Sequence, residues 1–177
     1  MRTLKYAILG LLCQKNMTGY ELSAEFESTL NEFWSAKHSQ IYPELKKLTE
    51  EGMIEYEIEI SGTVLEKKVY AITEKGRLEF LAWLEKDQPM AATPKDIFRL
   101  KVFFSGYLDP EKRIHLLENH LEQHQKRLEH LKNNQRKFTV VPASNMPEFG
   151  DYLVLAGAIM REETNCRWLE QCLEMCK

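Results

Sequence analysis

The sequence predicts a mainly α protein that carries one small β element, α+β in class. Three observations support this. Apolar residues recur at helical spacing through residues 2–50. Strict two-residue alternation replaces that spacing over residues 54–60. Helical spacing then returns after about residue 73 and persists to the end of the chain. A length of 177 residues suits one domain or two small ones.

Leu4, Ile8, Leu11 and Leu12 share one helical face, so residues 2–13 read as a short helix. Asn16 to Gly19 reads as a turn. Thr18 can cap the next helix there, and Glu21, three residues on, completes a capping box. The second helix runs to about Leu30, with Leu22, Phe26 and Leu30 at four-residue spacing. Phe33-Trp34-Ser35 interrupts the polar pattern. A third helix follows from about Lys37 to Glu50 and turns Ile41, Leu45 and Leu48 inward. Pro43 is placed in its first turns, where a missing N–H costs little. Gly52 stands where a C-terminal cap glycine belongs.

Ile54, Tyr56, Ile58 and Ile60 alternate with Glu55, Glu57 and Glu59, which predicts a half-buried strand. Ser61-Gly62-Thr63 is a turn, and Leu65 to Ile72 is a second strand rich in β-formers, so the two make a hairpin. A helix with Phe80, Leu81 and Leu84 on its apolar face closes the segment. Three short helices, a hairpin and a helix within residues 1–88 describe a winged helix-turn-helix.

Residues 89–94, with two prolines counted from position 89 and several small residues, form the linker. Residues 95–177 read as a second, all-helical domain. One helix covers about Lys95 to Tyr107. Asp109 caps the next, with Pro110 at its first position. Ile114, Leu117, Leu121, His124, Leu128, Leu131, Gln135 and Phe138 then step by three and four. The last helix, from about Pro147, repeats the pattern with Tyr152, Leu155, Ile159, Glu162, Cys166, Leu169, Leu173 and Cys176. Two helices cannot close a bundle alone. An antiparallel hairpin paired with its copy in a second chain would supply partners for both seams. Leu117, Leu121, Leu128, Tyr152, Leu155, Ile159, Cys166, Leu169 and Leu173 are therefore the expected homodimer residues. The alternative is a bundle within one chain that uses the helix at residues 95–107.

Basic residues number 24 and acidic residues 27, a net charge of −3, and such a balance argues weakly against a nucleic-acid partner. Residues 1–88 are the more acidic part, with 11 basic and 15 acidic side chains. Locally the picture reverses: residues 36–48 set Lys37, Lys46 and Lys47 against Glu44 alone. No apolar run reaches the roughly 18 residues that span a bilayer. Arg2 and Lys5 before an apolar stretch imitate a signal peptide, but no small-residue cleavage site follows. Four unevenly placed cysteines do not make a disulfide framework, so a reduced, cytoplasmic protein is expected. No Gly-rich phosphate loop or glycine-flanked serine nucleophile is found, so neither catalysis nor a cofactor is expected. His120 with His124, and Cys172 with Cys176, have the four-residue spacing that can clasp a metal. A metal-responsive regulator is therefore one alternative function, although such clusters are more often solvated or packed.

The segment Lys37 to Leu48 carries the chemistry. Beyond its inward face it offers Lys37, His38, Ser39, Gln40, Tyr42, Lys46 and Lys47. A recognition helix presents its N-terminal residues to base edges in the major groove. Gln can pair with adenine through two hydrogen bonds, and lysines neutralise phosphates. Lys67 and Lys68 follow the hairpin turn, where a wing meets the DNA backbone, while Glu55, Glu57 and Glu59 are expected to face away. Tyr20, on the preceding helix, is added as a further DNA contact. A second alternative has the same winged helix binding a protein through Tyr42, Lys46 and Lys47.

The strings Tyr6-Ala7-Ile8-Leu9-Gly10-Leu11-Leu12, Gly19-Tyr20-Glu21-Leu22, Phe33-Trp34, Ser39 through Leu48 and Tyr70-Ala71-Ile72-Thr73 closely resemble the PadR family of bacterial transcriptional regulators. Gly62-Thr63, Leu65-Glu66-Lys67-Lys68 and Phe149 through Leu155 extend the likeness over most of the chain. The resemblance implies a dimeric repressor of a phenolic acid decarboxylase gene that binds a palindromic operator on double-stranded DNA. It further implies an effector such as p-coumarate, ferulate or caffeate, bound between the DNA-binding and C-terminal parts. A planar aromatic acid needs an apolar slot with a cation or donors for its carboxylate. Candidates are Phe33, Trp34, Phe98, Lys101, Phe104, Tyr107, Tyr152 and Arg161.

Overall fold

The computed structural model describes residues 2–28, 30–31, 33–34, 36–61 and 65–176. The chain divides into two compact units, Met1–Met90 and Ala91–Lys177.

In the first unit the helical spacings become α1 (Thr3–Gln14), α2 (Gly19–Ser28) and α3 (His38–Glu50). Ile8, Leu9 and Leu12 of α1 meet Leu22 and Phe26 of α2 and Ile41, Leu45 and Leu48 of α3 in one core. Full burial of each such side chain stabilises by about 1.5–3 kcal/mol. The capping box forms as spaced. The backbone N–H of Thr18 donates to Glu21 Oε2 at 2.7 Å, and the Glu21 N–H donates to Thr18 Oγ1 at 3.1 Å. Gly52 has φ of +68°, the left-handed turn that ends α3.

Met17 and Thr18, read as part of a turn, form a short strand, β1 (Met17–Thr18). It lies beside β3 (Leu65–Ile72), which also pairs with β2 (Ile54–Ser61), all antiparallel, in the order β1-β3-β2. Two residues are too few to show a period, and the partner lies some fifty positions away, so the pairing leaves no local mark. The hairpin turn read at Ser61-Gly62-Thr63 falls, from Gly62 on, outside the described residues.

The expectation of a half-buried β2 needs correction. Ile54 is buried, but Tyr56, Ile58 and Ile60 are 39%, 55% and 74% exposed in turn. The ribbon leaves the core as it extends, and among the described residues of this unit none covers its outer half. α4 (Glu74–Leu84) also differs from its sequence reading. Phe80 and Trp83 face inward, with Trp83 stacked on Tyr6 at 4.6 Å, while Leu81 and Leu84 are exposed. The start of α4 crosses the chain so closely that a Cβ on Gly76 would sit 2.1 Å from the carbonyl oxygen of Met53. Pro43 is the sixth residue of α3, beyond its first turn, so the bond its N–H would make to Ser39 is forfeited.

The second unit holds α5 (Ile97–Phe103), a 3-10 turn at Ser105–Tyr107, α6 (Pro110–Gln135) and α7 (Glu148–Met175). Asp96 caps α5 by accepting from the Arg99 N–H at 2.9 Å. Ion pairs from Lys137 to Asp151 and from Lys132 to Glu163 mark α6 and α7 as antiparallel. The two seams close on each other within this one chain. Leu117, Leu131, Leu155, Ile159, Cys166 and Leu169 are all buried. Most residues read as dimer contacts are thus already covered, or half-covered, in a single copy. Among the described residues no helix is long and apolar enough to cross a membrane.

Candidate nucleic-acid interface

α3 separates its two faces cleanly. Ile41, Leu45 and Leu48 are fully buried, while Lys37, His38, Ser39, Gln40, Tyr42, Lys46 and Lys47 are exposed. The helix start is held by one of its own readers, because Gln40 Oε1 accepts from the Lys37 N–H at 3.0 Å. A bidentate contact to adenine requires both the oxygen and the amide nitrogen of Gln40. One of the oxygen's two lone pairs is thus engaged, and among the described residues the nitrogen makes no hydrogen bond. Tyr42 lies against Gly19, where a Cβ would stand 2.8 Å from its ring, and its other neighbour is the His38 ring at 4.7 Å. Gly19 is therefore what lets α2 and α3 approach. Tyr20, the next residue, projects into solvent.

The wing divides the two lysines that sequence reasoning had grouped. Cross-strand partners share a face. Lys67 is paired with Glu59 and so belongs to the glutamate face, and its charge helps hold the Glu21 carboxyl below its usual range. The larger causes of that lowering are the backbone and side-chain hydrogen bonds from Thr18. Lys68 is paired with Ile58 on the opposite face, with its ammonium 4.1 Å from the centre of the Tyr56 ring. Tyr56 in turn packs on Tyr70. The two lysines therefore lie on opposite faces of the ribbon.

Sequence reasoning missed Arg2. Its guanidinium donates to Glu44 Oε1 through Nε and Nη2, at 3.0 and 2.6 Å, and to Glu51 Oε1 through Nη1 at 2.5 Å. Those partners lie 42 and 49 residues away, and no short-range pattern signals them.

The expected effector residues are divided between the two units, Phe33 and Trp34 in the first and the other six in the second. Phe33 is exposed, and Trp34 packs against the core of the first unit, its buried indole N–H meeting no hydrogen-bond partner among the described residues. In the second unit Phe98 stacks on His120 at 3.5 Å and meets Trp168 edge-on. Tyr152 packs on Phe138, while Tyr107 and Arg161 are exposed. Within the second unit Lys101 and Phe104 share a groove, of about 620 Å³, with Leu100, Leu108, Lys112 and Leu116. Lys112 had no sequence signal beyond being one more lysine on a polar helix face.

His124, half of the possible metal clasp, is hydrogen-bonded to Glu162, which also receives Arg127 at 3.3 Å. Among the described residues no three His, Cys, Asp or Glu side chains are grouped to hold a metal, and the four cysteines are free.

Residues 8–82 match the Transcriptional regulator PadR-like family, and residues 94–177 match the Virulence activator alpha C-term family. The chain is 46% identical to the Negative transcriptional regulator PadR of Bacillus subtilis, over 99% of this chain and 98% of that one. The chain belongs to the PadR-like family of transcriptional regulators.

A second relative, the Probable transcriptional regulator Rv1176c of Mycobacterium tuberculosis, is 29% identical over 97% of this chain and 96% of its own. The fold is that of solved PadR-like winged helices. Bacillus subtilis PadR in complex with operator DNA superposes with a TM-score of 0.93 at 44% identity, covering 99% of this chain and 100% of that one. The same protein in complex with p-coumaric acid superposes at 0.87 with 42% identity, covering 99% of both. The family match over residues 8–82 takes in α3 and the wing, so the residues weighed above lie in the PadR-like segment.

Proposed function

We propose that this PadR-like chain is a dimeric DNA-binding repressor, released from its operator by a phenolic acid, and that its target is a phenolic acid decarboxylase gene. The observation that carries this reading is the near-full-length likeness to Bacillus subtilis PadR, a protein solved both with operator DNA and with p-coumaric acid. α3 supplies the reader: Ser39 and Gln40 address base edges, while Lys46 and Lys47 address phosphates. Lys68 is the wing's cation on the face that continues Tyr56 and Tyr70. Acting on a bacterial operator places the protein in the cytoplasm.

The dimer surface shifts from the seam to the apolar side chains that one copy leaves uncovered. In the second unit these include Ile97, Phe103, Leu153, Val154 and Met160. Exposed apolar surface in this amount is a mark of association. Two copies present two recognition helices, which must meet half-sites about one helical turn apart, roughly 34–36 Å.

The groove of the second unit suits a planar aromatic acid. Leu100, Phe104, Leu108 and Leu116 offer apolar walls, and Lys101 and Lys112 offer cations for a carboxylate. Release follows if the acid binds better to a dimer whose helices no longer fit that spacing. The test is to titrate p-coumarate into a complex of the protein with a palindromic promoter fragment at fixed low salt. Release at millimolar acid or below is expected. A fragment that never binds, or a complex that ignores the acid, would refute the proposal.

A further inference from the structure

Arg2 stands where a helix start least tolerates it. It occupies the N-cap of α1, makes no side-chain cap, and is followed by no acidic residue in the first turn. A cation beside the positive end of a helix dipole is locally unfavourable. The compensation is tertiary. The guanidinium binds two carboxylates of the α3 segment, Glu44 within the helix and Glu51 at its C-terminal cap. Those hydrogen bonds, to Glu51 first and Glu44 next, push the already high guanidinium pKa further up. Arg2 in turn holds the Glu51 carboxyl below its usual range.

The flank of α3 that carries these carboxylates is also a DNA flank. Gln40, Glu44, Lys47 and Glu51 follow one another at spacings of four, three and four, so they run down one side of the helix. Glu44 therefore lies one turn before Lys47, and Glu51 lies one turn after it. Left alone, both are natural ion-pair partners for that lysine. Lys46 shows what such a neighbour does, since its ammonium reaches Glu50 four residues on, at 3.9 Å. Lys47 has a different fate. Glu44 and Glu51 turn to Arg2, and among the described residues Lys47 is found in no ion pair, although its charge still acts weakly on the Glu51 carboxyl.

We propose that Arg2 is a positioning residue for DNA binding: by holding Glu44 and Glu51 it leaves the Lys47 ammonium free for a backbone phosphate. The inference rests on the DNA-binding reading above. Its cause is charge competition on one helix flank. Without Arg2, two carboxylates claim Lys47 and face the phosphates unneutralised.

Salt dependence separates this role from simple stabilisation, because each phosphate contact contributes about 0.9 to the slope of log affinity against log salt. The slope is measured on one operator fragment for wild type, Arg2→Ala, Lys47→Ala and the double variant, with a melting temperature for each. Each single variant should lower the slope by about one, and the double should lower it no further. Arg2→Ala with Glu44→Gln and Glu51→Gln should recover the wild-type slope. A lower melting temperature with an unchanged slope overturns the proposal, and so do slope losses that add in the double variant. If Arg2→Ala does not fold, Arg2→Ala/Glu44→Gln is compared with the same protein also carrying Glu51→Gln. The second should have the steeper slope, and equal slopes overturn the proposal. A wild-type protein that binds no operator overturns the DNA-binding reading and this inference with it.

Discussion

Gln40 holds the start of α3 and, in the proposed function, also meets a base, and the chemistry of its amide lets the two be separated. Its oxygen completes the start of α3, and the proposal assigns its nitrogen to a base. Gln40→Glu keeps the cap acceptor and adds a negative charge at the helix N-terminus, which is worth about 0.3–1 kcal/mol to the helix. It also removes the donor and sets an anion toward the DNA. We expect this variant to melt at or above the wild-type temperature while its operator affinity falls. Gln40→Ala should lower both, with a stability loss of about 0.5–2 kcal/mol by analogy with other lost caps. Thermal melts paired with gel shifts distinguish the two. Wild-type affinity in Gln40→Glu would remove Gln40 from the DNA face.

Among the elements, the wing repays closest attention because its register assigns each charge to a face. Lys68 shares a face with Tyr56 and Ile58, and Lys67 shares one with Glu59. Lys68→Ala should weaken binding to all sequences alike and reduce the salt slope by about one. Lys67→Ala should leave the slope close to that of wild type. Equal losses from both variants would count against the face assignment. The strands themselves were legible, since β2 lies where alternation placed it and β3 where the β-forming residues did. Burial was not legible, because alternation shows that two faces differ but not that one of them is covered. The caps at Thr18 and Gly52 were legible, and the cap at Asp96, which was not read, joins residues only three apart.

For the molecule as a whole, the second unit carries a pH dependence. His120 stacks on Phe98 and is held below the ordinary histidine value of 6.5, first by burial and next by the neighbouring His124, against the opposing pull of Asp96 and Glu162. The unfolded chain therefore accepts this proton more readily than the folded one. The stability that depends on neutral His120 is present above about pH 6.5 and declines as the pH falls below it. The melting temperature should drop between pH 7.5 and 5.5, and His120→Gln should flatten that drop. Parallel curves for the two proteins would assign the dependence elsewhere. The α6 and α7 seams illustrate the limit of pattern reading at this scale. The three-and-four spacing correctly marked Leu117, Leu155, Ile159 and Leu169 as buried, but it could not say what buries them. An antiparallel hairpin paired with its copy was the expected cover, and within one chain the hairpin's own two helices already bury these residues.

The sequence by itself determined the helical and strand periods, the capping box at Thr18 and Glu21, the polar face of α3 and its core side. These depend on residues within one or two turns of each other, where spacing alone decides who can meet. Only the tertiary structure decided the pairing of β1 with β3, the inward turn of Trp83, the division of Lys67 from Lys68 and the clamp of Arg2 on Glu44 and Glu51. Each of these joins groups far apart in the chain, or depends on which face of an element the core happens to cover. Neither fact is encoded in a local repeat, because hydrophobic burial and charge pairing constrain which surfaces meet and leave no periodic trace of their partner.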